Sequence, residues 1–294
     1  LPGVVKRLRE EIIALGGEVR FETELDGLIT ENGRLCGITA NKERIPCDRL
    51  ILACGHSARD TFAMLDQSGI ILERKPFAIG VRIEHLQSDI NRALYGSAAG
   101  HPALGPADYK LAVHLKNGRG VYTFCMCPGG EVINASSEAD GIAVNGMSNS
   151  RRDGENANSA VLVGVNPEDF PGSGVLAGCE LQQKIEKAAY KAAGGAVPAV
   201  TVGEFLNGVP DNSGRVKPTA KPKTATADFG EIFPEFIIEA LRQGLPLLDK
   251  KLRGFADPAA ILSAPETRSS SPIRIIRGDN GQSPSLSGLF PSGE

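Results

Sequence analysis

One short stretch constrains the fold of this chain more than any other: an apolar run that ends at a glycine. Residues 50–53 are wholly apolar, which is typical of a strand buried on both faces. Gly55 breaks the run, and after a polar segment the apolar residues of 61–65 return with helical spacing. Such a strand, glycine turn and helix start place free backbone N–H groups at the carboxyl edge of a sheet, where open α/β sheets bind ligands. An ordinary strand-to-helix turn has the same spacing, and spacing alone favours it.

Size, charge and cysteine usage exclude several classes of protein. The 294 residues suffice for one large domain or two smaller ones. The net charge of −3 gives no electrostatic basis for binding nucleic acid or an anionic membrane. No apolar run is long enough to cross a bilayer, and six scattered cysteines are typical of reduced, structural thiols. The sequence therefore predicts a cytoplasmic protein without a nucleic-acid or membrane partner.

The residues before the apolar run predict a helix, a strand and a hairpin. Apolar residues recur at helical spacing over 2–15, and two glycines follow as a stop signal. Residues 18–21 have the pattern of a strand. Strands over 24–30 and 34–40 flank an Asn-Gly pair, which accepts positive φ in a tight hairpin.

The middle of the chain predicts a mainly antiparallel sheet with helices. The predicted strands cover residues 77–84, 110–115, 120–127, 131–135, 141–148 and 159–165. The predicted helices cover residues 86–95, 176–193 and 232–252. Gly129 and Gly130 are expected to close a hairpin, Pro246 is expected to split the last helix in two, and 210–226 is expected to be an extended connector.

Cys125 and Cys127 are the one close pair of cysteines. Their thiols are expected on one face of a strand, because side chains alternate along it. A metal site needs about four ligands, and no second cysteine pair or histidine cluster stands at suitable spacing. We therefore expect free structural thiols and no metal.

Several longer motifs carry a resemblance to a known family. They are KPFAIGVRIEH at 75–85, YTFCMCPGG at 122–130 and ETRSSSPIRI at 266–275. Together with Ala-Cys-Gly at 53–55, they resemble the bacterial FAD-dependent dehydrogenases or oxidoreductases of the two-dinucleotide-fold flavoprotein superfamily. In that family a strand, a three-stranded antiparallel meander and an Ala-Thr-Gly-like strand end follow one another, as here. The resemblance covers nearly the whole chain, and it is to the uncharacterised FAD/NAD-dependent dehydrogenase branch, whose chemistry is largely unassigned.

The resemblance implies a fold of mixed α+β and α/β type. Residues 1–75 would be a partial FAD-binding domain with a helix, a meander and a strand, the remnant of a three-layer domain. Residues 76–259 would be a large inserted substrate or cap domain with a mainly antiparallel sheet and helices. Residues 260–294 would return to the FAD-binding domain, so that 48–55 pairs near 287–290.

The resemblance also implies where the cofactor would contact this chain. The expected cofactor-binding residues are Leu25, Gly55, His56, Ser57, Arg59, Gly293 and Glu294. The backbone near Leu25 would face the adenine, although Leu25 is equally a plain strand residue. His56 follows the glycine turn and is also a candidate catalytic residue.

Arg268, Ser269 and Ser270 are the candidate substrate-binding residues. Arg268 offers a planar fork of donors and the serines offer hydroxyls, which suit a substrate carboxylate or the carbonyls of a flavin. A turn with a surface arginine is an equally good interpretation. Arg274 and Arg277 are weaker candidates on the strand that follows.

Two parts of the family's cofactor domain have no counterpart in this sequence. The opening strand-G-x-G-x-x-G-helix is absent, and the helix that covers the flavin would follow Glu294. We therefore expect a fragment that binds no FAD by itself. The full-length parent is expected to bind FAD, with NAD(P)H as one option for the electron donor. The missing strands would leave an open sheet edge through which copies of the chain could associate.

The leading interpretation is the substrate-side portion of an FAD-dependent oxidoreductase with an unknown small-molecule substrate. Hydride transfer through a flavin needs no side-chain nucleophile, and the sequence has no Ser-His-Asp or Cys-His constellation. The alternative is a non-catalytic, flavoprotein-like binding or protein-interaction module. The catalytic residue stays open between Arg268 and His56, and the fragment itself is expected to be inactive.

Overall fold

The computed structural model describes residues 2–293, which form two units. The first unit takes the described residues up to Leu72 together with those from Ile275 onward, and the second unit is Glu73–Arg274. The predicted fold class is confirmed, since the protein is a mixed α and β structure with one large, mostly antiparallel sheet. The roles given to the segments, cofactor binding and substrate binding, stay predictions.

The elements of both units are numbered here in chain order. The helices are α1 (Pro2–Ala14), α2 (Arg59–Gln67), α3 (Gln87–Tyr95), α4 (Ala177–Ala192), α5 (Val202–Asn207) and α6 (Glu235–Asp249). The strands are β1 (Leu25–Glu31), β2 (Arg34–Ala40), β3 (Glu43–Pro46), β4 (Leu50–Leu52), β5 (Leu72–Arg74), β6 (Phe77–Leu86), β7 (Ala112–His114), β8 (Gly120–Cys127), β9 (Gly130–Asn134), β10 (Val144–Ser148), β11 (Asn156–Val165), β12 (Val197–Thr201), β13 (Thr224–Ala225), β14 (Ile261–Glu266), β15 (Ile273–Ile275) and β16 (Leu289–Pro291).

The first unit contains an antiparallel meander of β1, β2 and β3. Its first turn is the predicted hairpin, in which Asn32 and Gly33 have φ values of 49° and 74°. Both residues therefore adopt the left-handed conformation that a two-residue hairpin loop requires. The prediction for this part of the chain is confirmed.

A parallel pair of strands, β4 and β16, completes the β structure of the first unit. Leu50 pairs with Leu289 and Leu52 with Pro291, which confirms the predicted pairing of 48–55 near 287–290. The expectation that this strand is buried on both faces is wrong, because Ile51 is 73% exposed whereas Leu52 is 5% exposed. Among the described residues only β16 pairs with β4, and no described residues cover the outer face.

The predicted strand over 18–21 is also wrong. These residues have no regular structure, and no described segment of the chain pairs with them. A strand is stabilised by the hydrogen bonds and side-chain pairs of a neighbour, so its own pattern is not sufficient. The neighbouring helix α1 is present as predicted, although none of its residues is buried.

A seven-stranded sheet forms the centre of the second unit, in the order β13-β12-β14-β6-β11-β8-β7. All neighbours are antiparallel except β12 and β13. One face is apolar: Ile79, Val81 and Val161 join a core with Leu241 and Leu245 of α6. The opposite face carries Arg82 and Glu84 of β6, as the alternation along that strand predicts.

Two expectations for the strands of the second unit need correction. The segment after 260 does not leave this unit at once, since β14 pairs with both β6 and β12. Gly129 and Gly130 do not close a hairpin, because β9 pairs with β10 and not with β8. The backbone of Gly129 packs against Arg152 instead, and its carbonyl accepts a hydrogen bond from Gly154 N at 3.1 Å.

Pro246 does not split the last helix. The helix α6 is continuous over Glu235–Asp249 with Pro246 inside it. A proline removes one backbone hydrogen bond from a helix interior. Leu245 and Leu248 are fully buried on either side of Pro246, and their packing holds the two halves in line.

Candidate functional site

The carboxyl ends of β4 and β16 meet at one edge of the first unit. The two strands run parallel in register, and Ser292 N donates to Leu52 O at 2.8 Å directly after the last paired residues. Residues 53–57 therefore leave the sheet beside residues 292–293. This carboxyl edge is the position at which open α/β sheets bind ligands.

Three of the predicted cofactor-binding residues lie in the turn that leaves β4, and a fourth, Arg59, begins the helix α2 that follows. Gly55 has φ of 73°, and a side chain at this position would meet no atom within 4 Å, so the backbone here is open to close approach. His56 and Arg59 are half-buried, and Ser57 is exposed. The helix α2 then begins at Arg59, after Ala58, whose side chain makes no capping hydrogen bond. Arg59 N donates to Ser57 O at 3.0 Å, and the next N–H groups of α2, those of Asp60 and Thr61, have no side-chain acceptor from the capping position.

Arg277 is brought to the same edge, although the sequence indicated it only as a weaker candidate. Its Nη1 donates to Pro291 O at 2.9 Å and its Nη2 lies 3.4 Å from Gly293 O. A guanidinium thus stands at the carboxyl end of β16. The sequence could not assign it to this edge, because the pairing of β16 with β4 joins residues far apart in the chain.

The remaining predicted cofactor residues are placed differently. Gly293 follows β16 with φ of 130°, a backbone conformation that glycine adopts readily. Leu25 opens β1 opposite Ala40, so it belongs to the meander and not to the pair of β4 and β16. Glu294 lies outside the described residues.

The donors at this edge fit part of an anionic dinucleotide. Uncapped N–H groups at the start of α2 and the guanidinium of Arg277 both favour negative charge, and Gly55 allows close backbone approach. The carboxylate of Asp60 in the first turn of α2 opposes the binding of an anion. The sequence has no strand-G-x-G-x-x-G-helix for a pyrophosphate, so these residues account for one part of such a cofactor only.

A buried polar network occupies the second unit, on the polar face of its sheet. Arg82 is fully buried and makes a bidentate pair with Glu266, with Nε–Oε2 and Nη2–Oε1 distances of 2.6 and 2.9 Å. Its Nη1 donates to Asn158 Oδ1 at 2.7 Å and to Cys125 O at 3.1 Å. Gly146 of β10 covers the guanidinium so closely that a β-carbon there would overlap it. The guanidinium of Arg82 is thus bound on all three nitrogens inside the protein, whereas Asn158 Nδ2 beside it is buried without a hydrogen-bond partner among the described residues.

Glu84 extends this network to the connector 210–226. The carboxylate is fully buried and accepts from Thr219 Oγ1 at 2.6 Å and from Asn156 Nδ2 at 3.0 Å. Burial raises the pKa of Glu84, and the hydrogen bonds from Thr219 and Asn156 oppose this shift. The alternation along β6 puts Arg82 and Glu84 on one face, and two charges inside a strand-length apolar segment indicate that buried partners exist.

Arg268 lies in an ion pair within the second unit. Its Nη2 and Nε contact Glu186 Oε2 and Oε1 at 2.7 and 3.0 Å, and its Nη1 donates to Ser137 Oγ at 2.6 Å. Ser269 Oγ is buried without a hydrogen-bond partner among the described residues, and Ser270 is half-buried. The guanidinium of Arg268 is therefore bound by Glu186 and Ser137, whereas the Ser269 hydroxyl makes no hydrogen bond within the described residues.

The two neighbouring cysteines do not share one face of β8. Cys125 has φ of 44° and is exposed, whereas Cys127 is buried. A bulge opposite 158–160 of β11 interrupts the alternation between them. The six cysteines are free thiols, and no group of three or more metal-ligating side chains occurs within residues 2–293.

The fold and these sites define a mixed α and β protein with an edge suited to an anionic cofactor, and comparison with known proteins gives its family. The family model described as "FAD-dependent protein, C-terminal domain-like" matches residues 76–269, and the chain belongs to this family. This membership supports a flavoprotein-related role.

A relative from Clostridium beijerinckii, described as an uncharacterized protein, is 45% identical over 298 residues. The match covers 100% of this chain and 56% of the relative, so the chain spans about half the length of that protein. Among the described residues, every helix is too short or too polar to cross a membrane.

Proposed function

We propose that this chain is the substrate-side portion of an FAD-dependent oxidoreductase that acts on a small molecule. The flavin, when bound, would accept and release hydride or electrons. The chain's first unit would contribute to holding the cofactor, and its second unit would contribute to selecting the substrate. The observation that carries the proposal is the carboxyl edge of β4 and β16, with Gly55, α2 and Arg277 arranged around it, in a chain of an FAD-dependent family.

Each residue at the edge has a physical task in this proposal. The N–H groups at the start of α2 would donate to an anionic or carbonyl oxygen of the cofactor. Arg277 would add a positive charge, held in place by the carbonyls of Pro291 and Gly293. Gly55 would let the cofactor approach the backbone, which a β-carbon pointing into that open space would prevent.

Substrate contact is assigned to the segment after β14. Ser269 supplies a buried hydroxyl without a partner among the described residues, and Ser270 is half-exposed beside it. Arg268 would act through its ion pair with Glu186, which links this segment to α4. His56 remains the candidate for proton transfer at the cofactor edge.

The test uses the full-length parent protein. We expect it to purify with a flavin absorbance spectrum that bleaches on anaerobic reduction, and a nicotinamide donor is the first reductant to try. A full-length protein without flavin, to which added FAD does not bind, contradicts the proposal. A flavin that binds but resists every reductant supports the non-catalytic binding module instead.

A further inference from the structure

A cavity of about 310 Å³ in the second unit lies apart from the buried polar network. It is enclosed by the end of β12, by α5, by α6 and by a single 3-10 turn at Phe229–Glu231. A volume of this size accommodates a small metabolite. None of the residues given a role above lines it.

The floor of the cavity is aromatic and aliphatic. Phe205 and Phe229 are 7% and 3% exposed, and their ring centroids lie 5.8 Å apart at an interplanar angle of 50°. Ile238 of α6 completes this floor. An apolar group that enters the cavity would bury its surface against fixed side chains.

Arg242 stands at the rim of the cavity, and the terminal nitrogens of its guanidinium are unpaired within the described residues. Its Nε lies 3.4 Å from Phe205 O, and its guanidinium carbon lies 5.5 Å from the centre of the Phe205 ring. Within residues 2–293, no carboxylate pairs with it at 4.0 Å or less. The two terminal nitrogens are therefore available to a carboxylate, which they can bind through parallel hydrogen bonds.

Two carboxylates stand at the same rim. Glu204 of α5 precedes Phe205 in the chain, and its side chain has no hydrogen-bond or ion-pair partner within the described part of the chain. Asp228 uses one oxygen to accept from Gly230 N at 2.8 Å. Glu204 also lines an adjoining cavity of about 280 Å³.

We propose that this cavity binds a hydrophobic α-amino acid. Its carboxylate would pair with Arg242, its ammonium with Glu204, and its side chain would lie against Phe205 and Phe229. A simple anion would be repelled by Glu204 and Asp228, and a simple amine would leave Arg242 without a partner. Only a zwitterion with an apolar side chain matches the mixed rim and the apolar floor. This proposal is independent of the flavin.

Isothermal titration calorimetry on this chain tests the proposal, with L-leucine and L-phenylalanine as the probes. 3-Phenylpropionate lacks the ammonium and phenylethylamine lacks the carboxylate. Each of these two should bind at least about tenfold more weakly than phenylalanine, because one charge-assisted hydrogen bond is lost. Equal binding of either analogue, or no heat from both amino acids, overturns the proposal.

Two pairs of variants locate the site. Arg242→Gln and Glu204→Gln should each weaken amino-acid binding about tenfold or more. Arg253→Gln and Glu239→Gln are matched controls at exposed positions outside the cavity, and they should bind as the unaltered chain does. Thermal melting establishes that all four variants are folded. Unchanged affinity in folded Arg242→Gln and Glu204→Gln shows that the amino acid binds elsewhere and contradicts the assignment.

Discussion

The first unit exposes backbone groups at a strand edge, whereas the second unit buries charged side chains in pairs. At this edge a β-carbon added to Gly55 would meet no atom within 4 Å, and Ile51 is 73% exposed. The second unit buries charged side chains and gives each a partner, as Arg82 and Glu266 demonstrate. Open backbone at a strand edge suits recognition, whereas buried charges that are paired with each other suit a single packing arrangement.

The largest effect is expected from breaking the buried pair. Arg82→Met leaves the Glu266 carboxyl buried without its partner, which should lower the free energy of unfolding by about 3–5 kcal/mol. Urea unfolding measures this loss. The matched control is Arg92→Met, which removes an exposed pair with Asp89 and should cost about 0.5 kcal/mol.

A double variant sharpens the same comparison. Arg82→Met with Glu266→Leu removes both charges and should recover most of the lost stability. If Arg82→Met alone costs less than about 1 kcal/mol, the buried Glu266 carboxyl does not depend on Arg82 as its partner.

A second prediction applies one substitution to both units. Gly146→Ala should cost about 1–3 kcal/mol, because the new β-carbon overlaps Arg82 and Asn158. Gly33→Ala should cost about 1 kcal/mol, from its φ of 74° alone, since nothing lies within 4 Å. Thermal or urea unfolding gives both values. A larger loss of stability for Gly33→Ala than for Gly146→Ala would contradict the contrast between the close packing around Gly146 and the open space around Gly33.

The pH dependence of stability tests the interior of the second unit. Burial lowers the pKa of His85, and the charge of Arg215 lowers it further. The Phe255 carbonyl, which accepts from Nε2 at 2.7 Å, and the charges of Asp257 and Asp89 oppose this shift. A histidine whose pKa is lower in the folded protein stays neutral there while the unfolded chain takes up a proton. Its contribution to stability is therefore complete above about pH 6.5 and is lost as the pH falls below that value, by up to about 1.4 kcal/mol per pH unit.

Urea unfolding between pH 7.5 and about 5 measures this slope. His85→Gln keeps a donor near the Phe255 carbonyl and does not titrate, so its stability should fall less steeply with pH. His101→Asn, at an exposed position, is the control and should keep the slope of the unaltered chain. Identical slopes for His85→Gln and the unaltered chain contradict a neutral buried His85.

Local features were predictable from the sequence, and long-range partners were not. The hairpin at Asn32 and Gly33 and the alternation along β6 follow from residues that are adjacent in the chain. The bulge at Cys125 and the continuous helix through Pro246 depend on packing against distant residues. Local patterns carry no information on such packing.

The same division holds for the sites. The turn at Gly55 was predicted because a strand, a glycine and a helix start follow one another in the sequence. Arg277 reached the carboxyl edge only through the pairing of β16 with β4, and the partner of Arg268 is Glu186, 82 residues away in the chain. The resemblance to flavoproteins supplied the expected cofactor, whose binding by the first unit stays a proposal.

The flavin content of the full-length parent tests the central claim most directly. Gly55→Asn and Gly33→Asn are a matched pair, since both glycines have positive φ, which asparagine tolerates, and both have open space at the β-carbon. We expect Gly33→Asn to purify with stoichiometric flavin and Gly55→Asn to lose most of it while remaining folded, because a side chain at Gly55 blocks the approach of the cofactor. Full flavin content in folded Gly55→Asn would contradict the assignment of the cofactor to the carboxyl edge of β4 and β16.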